Sequence, residues 1–367
     1  MAFGSRPVTS RTQGQVRIVG AGLIGTSVGL ALSKLGVDVI IEDISPAVQS
    51  LAIDYGAGRQ PASSDAPNLI VVCVPPDVTA VVVEQELLKF PAAIVTDVAS
   101  VKSAILEKLR ANSADLERYV GSHPMAGRER GGAASGRADL FFGRVWVLTP
   151  SDQSSSSAVQ AIENLALDLS ASPIRVSAAE HDRAVAYVSH LPQLVASLTA
   201  ATLVDAFDED VALAGQGVRD TTRIAASDPK LWIQILAANA PEVRSVLRKL
   251  QADLDSVAKA LDDPQATGAL ATLNSLLERG NLGVAKLPGK HGTKATRYSI
   301  TTVMIDDKPG ELARLLSEIG EIGVNLEEIK LEHSPSSPVG LVELSVLPDA
   351  ESNLVSALTQ RGWKLVG

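Results

Sequence analysis

Cysteine is nearly missing from this chain: one thiol, Cys73, in 367 residues excludes an internal disulfide. No Cys/His cluster has the spacing of a zinc site, and a single thiol fits a reducing compartment. Cationic excess is missing too. With 33 Lys and Arg against 42 Asp and Glu, the formal net charge of -9 excludes the concentrated basic surface that nucleic acid or anionic lipid demands. Local arginines can still hold small anions. Residues 1–15 contain no apolar core of signal-peptide length and are expected to form a loose, disordered tail, so a cytoplasmic location is expected. Long apolar runs are scarce. Residues 18–33 lack charge but are glycine-punctuated and shorter than the roughly 20 residues of a membrane span. Residues 184–204 also lack Asp, Glu, Lys and Arg, yet carry His190, Pro192 and Gln193, which are costly in lipid. That run reads as the buried centre of a large helical domain, not as a membrane anchor. Internal repeats and long low-complexity tracts are absent.

A hydrophobic content of 46% and a charged content of 20% belong to a globular protein, and the length implies two or three domains. From Val16 short β-rich runs alternate with helical ones, at 16–20, 37–41, 68–74, 92–98, 118–122, 144–150 and 172–177. This is the pattern of a doubly wound α/β domain with a parallel sheet, spanning 16–177. The capping box SAAE at 177–180 then opens about a hundred helical residues, an all-helical domain at 178–281 that suits a homodimer. Pro192 is expected to kink or restart its first long helix, and SDP at 227–229 to start another, with Trp232 in the core. The glycine- and lysine-rich segment around 282–297 reads as a linker. Residues 298–367 follow the order strand, helix, strand, strand, helix, strand, a small ferredoxin-like α+β sheet.

Gly20, Gly22 and Gly25 lie in VGAGLIG between a strand and a helix. A tight turn, close approach of the backbone to a pyrophosphate, and free amides at a helix N-terminus are what a dinucleotide requires there. Leu23 and Ile24 complete the turn. Asp43 ends the second strand at the distance expected for an acceptor of ribose hydroxyls, with Glu42 the near alternative. No arginine follows to meet a 2'-phosphate, which favours NAD over NADP. Cys73, on a buried strand, reads as a small hydrophobe.

Further along stand DVASVK at 97–102, GSHPMAG at 121–127, SHLP at 189–192 and TRIAASDPKLW at 222–232. Together with GAGLIGTS, and in this order, they resemble the prephenate dehydrogenase family, which includes arogenate and cyclohexadienyl dehydrogenases. The resemblance covers about residues 16–285. It implies oxidative decarboxylation: hydride passes from a hydroxyl-bearing ring carbon to NAD, and the departing carboxylate lets the ring become aromatic.

His123 matches the family's catalytic histidine, a neutral imidazole able to take the hydroxyl proton. Ser100 matches the serine near it, which orients the imidazole and touches substrate; a helix N-cap before VKSAILEKL is its other reading. Arg223 matches the arginine that binds a substrate carboxylate, a task suited to a planar guanidinium. Glu129 matches an acidic position that gates the pocket, or else is a solvated loop charge. Arg128 and Arg130 read as surface residues, and Lys102 as an anion ligand or a solvated lysine. His190 reads as a satisfied core histidine and His181 as part of an exposed first turn. Gln193 departs from the family, many members of which carry a second histidine there. A glutamine can donate to a carboxylate or keto oxygen but cannot carry charge, which leaves open prephenate, ending in a keto acid, and arogenate, ending in an amino acid.

The final segment, DDKPGELARLLSEIGEIGVNLEEI, looks like an ACT domain, a module that commonly binds amino acids. Asp307, Pro309, Gly310 and Leu312 shape its turn and helix start, where tyrosine or another aromatic amino acid is the expected effector; a dimerisation module that binds nothing is the alternative. Two rival functions remain: a β-hydroxyacid dehydrogenase, which would rely on a lysine of the helical domain, and an amino-acid sensor that has kept a dinucleotide fold without turnover.

Overall fold

The computed structural model describes residues 10–128, 131–287, 298–333 and 339–366. The chain packs as two compact units that divide after Leu250.

In the first unit, strands β1 (Val16–Val19), β2 (Val39–Glu42), β3 (Leu69–Val72), β4 (Ile94–Asp97) and β5 (Tyr119–Pro124) alternate with helices α1 (Leu23–Lys34), α2 (Pro46–Asp54), α3 (Pro76–Lys89) and α4 (Ser103–Ala111). β6 (Val145–Thr149), α5 (Ser156–Asp168) and β7 (Ser172–Arg175) complete a seven-stranded sheet of order β2-β1-β3-β4-β5-β6-β7. Alternation along β3 feeds two cores. Leu69 and Val71 face the cluster built with Val28 and Leu32 of α1, Ala52 of α2 and Ile162 of α5. Ile70 and Val72 face the one built with Val83 of α3 and Leu109 of α4. Both faces are covered, which is why β3 is apolar at every position.

The expectation of a wholly parallel sheet needs correcting. β1 to β5 run parallel, but β6 pairs antiparallel with β5, and β7 is parallel to β6. No α-helix lies between β5 and β6 among the described residues, so no crossover returns the chain to the starting edge. The tail also needs correcting, because its last residues are anchored: Ser10 and Thr12 both donate side-chain hydrogen bonds to Asp168 at the end of α5, at 2.8 and 2.7 Å.

The helical run begins with α6 (Ala178–Val185), opened by the expected Ser177/Glu180 capping box. A π-helical turn at Ala186–His190 leads into α7 (Leu191–Thr202). Pro192 therefore lies in the first turn of α7, where its missing amide is tolerated, and the helix restarts there after a widened turn, as expected. Then come α8 (Asp208–Val211), α9 (Gln216–Thr222), a 3-10 turn at Arg223–Ala226, and α10 (Pro229–Ala238), whose N-cap Asp228 accepts from the Lys230 amide. α10 lies against α3, with Ile235 in the second core. α11 (Ala240–Asp262) runs across the division between the units.

The second unit contains α12 (Ala269–Val284), which extends into the segment expected to be linker: Gly280 and Gly283 are helical, with open space where a Cβ would lie. The rest of that segment, 288–297, lies outside the described residues. Beyond it β8 (Ser299–Asp306), α13 (Glu311–Ile322), β9 (Glu328–His333), β10 (Val339–Val346), α14 (Pro348–Gln360) and β11 (Lys364–Val366) form a four-stranded antiparallel sheet of order β11-β8-β10-β9. Val303, Val342 and Leu344 of the sheet pack with Leu315 and Ile319 of α13 and Leu354 and Leu358 of α14.

Candidate active site

β2 and β3 flank β1 on opposite sides, so the chain reverses its winding at β1, and open α/β sheets bind ligands beyond the carboxyl ends of the strands at such a point. The glycine turn sits at that point. Gly20 has φ +99, and a Cβ would lie 2.5 Å from the Cys73 carbonyl oxygen, so only glycine fits. A Cβ on Gly25 would stand 1.9 Å from the Gly20 oxygen, which makes Gly25 the close helix-to-turn contact. Gly22 is different: nothing lies within 4 Å of its missing Cβ, and no side chain caps the α1 N-terminus that it begins. Open space beside uncapped amides fits a pyrophosphate. Leu23 and Ile24 form the first turn of α1, partly buried. Asp43 accepts from the Ala21 amide at 2.7 Å and from the Ser45 amide at 2.8 Å, so its carboxylate sits on the turn. Glu42 is instead ion-paired with Arg17, which also binds Glu86.

His123 lies near the carboxyl end of β5 and Ser100 in the loop after β4, on the same sheet edge as the glycine turn. Its Nδ1 is 2.9 Å from Nε2 of His181, and Nδ1 of His181 is 2.8 Å from Oδ1 of Asp182. Asp182 also accepts from the amides of Lys102 and Ser103, at 2.9 and 2.7 Å. It thereby caps α4 from another helix, and Ser100 is not the cap. Among the described residues Ser100 makes no hydrogen bond; His181 is the side chain that holds His123. His181 is buried, not part of an exposed turn, and the sequence signal for it was weak: an HD pair just inside a capping box.

Desolvation, with His181, Lys102 and His190 nearby, holds the His123 imidazole well below its usual range, so the ring is neutral. Burial alone would raise the Asp182 carboxyl, but its hydrogen bonds from His181, Ser103 and Lys102 outweigh that and keep it low. Lys102 is neither solvated nor an open anion ligand. It is buried, paired with Asp97, and donates to the Ser122 carbonyl at 2.7 Å. Burial lowers its pKa, and Asp97 partly restores it. The Tyr119 hydroxyl completes this cluster by donating to Asp97 at 2.7 Å.

His190 is a satisfied core histidine: its Nδ1 is 3.1 Å from Nδ2 of Asn239, which also donates to the Asp182 carbonyl, and its ring meets Trp232 edge-on. Gln193, in the first turn of α7, is buried, and its Nε2 donates to the Ser197 hydroxyl at 3.4 Å. Arg223 is exposed at the start of the 3-10 turn that packs on α7, which brings its element beside that of Gln193. Arg128 is exposed, with a hydrogen bond to the Ser135 carbonyl. Glu129 and Arg130 lie outside the described residues. In the second unit Asp307, Pro309 and Gly310 form an exposed turn in which Gly310, at φ +94, precedes α13, and Leu312 packs on the local core.

Comparisons with known proteins show the family. Family models described as the nucleotide-binding and dimerization domains of prephenate dehydrogenase match residues 28–174 and 177–275. A probable prephenate dehydrogenase of Streptomyces niveus, NovF, is 36% identical over 353 residues, covering 94% of this chain and 98% of that protein. Among solved structures, the prephenate dehydrogenase of Aquifex aeolicus, in complex with hydroxyphenyl propionate and NAD+, is 25% identical with a TM-score of 0.66, covering 75% of this chain and 100% of that one. The arogenate dehydrogenase of Synechocystis is 27% identical with a TM-score of 0.61, covering 74% of this chain and 99% of that one.

Proposed function

The chain belongs to the prephenate dehydrogenase family, and we propose that it converts prephenate to 4-hydroxyphenylpyruvate and CO2 for tyrosine synthesis. NAD, when bound, supplies the hydride acceptor. The observation that carries the reading is a neutral imidazole, His123, on the same sheet edge as the glycine turn. His123 takes the ring hydroxyl's proton as hydride departs and returns it to the phenolate oxygen once CO2 has left. Ser100, on the neighbouring loop, is free to meet the substrate, Arg223 binds a carboxylate, and Glu129 gates the pocket. Gly20, Gly22, Leu23, Ile24 and Gly25 cradle the pyrophosphate, while Asp43 receives the ribose hydroxyls.

A second substrate is kept in view by Gln193, whose neutral amide at the family's histidine position suits either a keto acid or the amino acid of arogenate. NADH absorbance with prephenate and arogenate offered separately decides: turnover of prephenate is expected, and turnover of arogenate alone would reverse the assignment.

The antiparallel C-terminal unit is read as an ACT domain that binds tyrosine or a related aromatic amino acid at the turn holding Asp307, Pro309, Gly310 and Leu312. Support comes from its βαββαβ order and from the left-handed Gly310 at a helix start. A homodimer is supported by Leu270, Leu277 and Val284, exposed seven residues apart on α12, and by Leu254 and Leu261 on α11. A cytoplasmic location is supported by the single thiol; among the described residues no helix is long and apolar enough to cross a membrane.

A further inference from the structure

We infer that His181 and Asp182 fix the tautomer of His123, so that its proton rests on Nδ1 and its lone pair on Nε2; the inference rests on the reading of His123 as the base. Asp182 is the fixed end of the chain. Its carboxylate receives two backbone amides at the α4 N-terminus, 2.9 and 2.7 Å away, and stays ionised, an acceptor only. The nitrogen of His181 that lies 2.8 Å from it, Nδ1, must then carry a proton. A neutral His181 consequently presents a lone pair at Nε2, and the only hydrogen bond His123 Nδ1 can make across 2.9 Å is as donor. Neutral His123 is left with its lone pair at Nε2, which has no hydrogen-bond partner among the described residues. A base needs an empty acceptor, and this chain of two imidazoles and a carboxylate guarantees one.

The same chain steadies the ring as it gains charge. When Nε2 takes the hydroxyl proton, Nδ1–H points at a lone pair whose own ring is hydrogen-bonded to a carboxylate. No further transfer is required. Protonation of His181 reverses the bond: Nε2–H of His181 would donate to His123, and the proton of His123 would move to Nε2, disabling the base. The titratable and charged groups around His123 are His181 and Asp182 from α6, His190 from the π-helical turn, and Lys102, just before α4, with its partner Asp97 at the end of β4. Of these, only His181 is hydrogen-bonded to the ring. His181 is thus a positioning residue, acting on substrate only through His123.

Two measurements on the full chain test this. Nitrogen-15 histidine spectra of the wild type near neutral pH should show His123 protonated at Nδ1 and bare at Nε2; the opposite tautomer would overturn the inference. His181→Leu should lower kcat by about 100-fold or more with KM for prephenate and NAD within about threefold, and should move the acid limb of the kcat pH profile. His181→Gln, which retains an acceptor oxygen, should recover part of that loss. Equal kcat in wild type and His181→Leu, or a Gln variant no better than Leu, would also overturn it. Absence of turnover with prephenate and arogenate would sink the proposed function, while the wild-type spectrum would still report the tautomer.

Discussion

Gly22 and Gly25 look alike in the motif, yet they answer to different neighbours. Gly25→Ala should lower the melting temperature, because its methyl meets the Gly20 carbonyl. Gly22→Ala should melt normally and raise the KM for NAD about tenfold, equivalent to about 1.4 kcal/mol, because its methyl enters open space that the pyrophosphate needs. A Gly22 variant with unchanged KM would remove the pyrophosphate from that place. His190 makes a pH prediction. Burial lowers its pKa from 6.5 to about 4, so the unfolded chain binds the proton more readily. Its contribution to stability is complete above pH 6.5 and is lost as pH falls towards 4, at up to about 1.4 kcal/mol per pH unit. His190→Gln should flatten the acid side of a plot of melting temperature against pH. At this scale the glycines, Asp43 and His123 were legible because a turn or a motif announces them. His181 was not: it acts on a partner 58 positions away, and a polar residue in a first helical turn ordinarily faces water.

Among the elements, α4 and α6 are joined by one carboxylate. Asp182 replaces the side-chain cap that α4 lacks, and Asp182→Ala should cost about 2 kcal/mol in denaturant unfolding. A loss no larger than that of a surface substitution would mean that water caps α4 equally well. Most strands of the first unit were readable from apolar runs, since burial on both faces forces continuous hydrophobicity, whereas β7 is a largely exposed edge strand. The direction of β6 was not, because its apolar pattern is the same whichever way it runs; only the lack of a crossover helix sets it. Pro192 was legible because a proline in a first helical turn marks the place where a helix restarts, as α7 does after the π-helical turn.

At the scale of the whole molecule, the apolar residues repeating along α11 and α12 are exposed in the single chain, and Leu277→Glu should convert a dimer to monomers in sedimentation experiments. Unchanged mass would place the interface elsewhere. If the C-terminal unit is the proposed effector site, tyrosine should inhibit the full chain, and removal of residues 298–367 should leave turnover but abolish that inhibition; inhibition that persists would place the effector site elsewhere. Composition bounded the possibilities well at this scale, excluding disulfides and a basic surface. Assembly escaped it, because an exposed leucine in one chain and a buried one in a dimer have the same letter.

Proton acceptance by His123 is tested most directly by NADH formation from prephenate in wild type and His123→Asn. The expected result is a kcat lowered by about 100-fold to 10,000-fold, with KM for prephenate within about threefold, since a base acts in the transition state. A variant that keeps the wild-type kcat, or loses affinity alone, would contradict it.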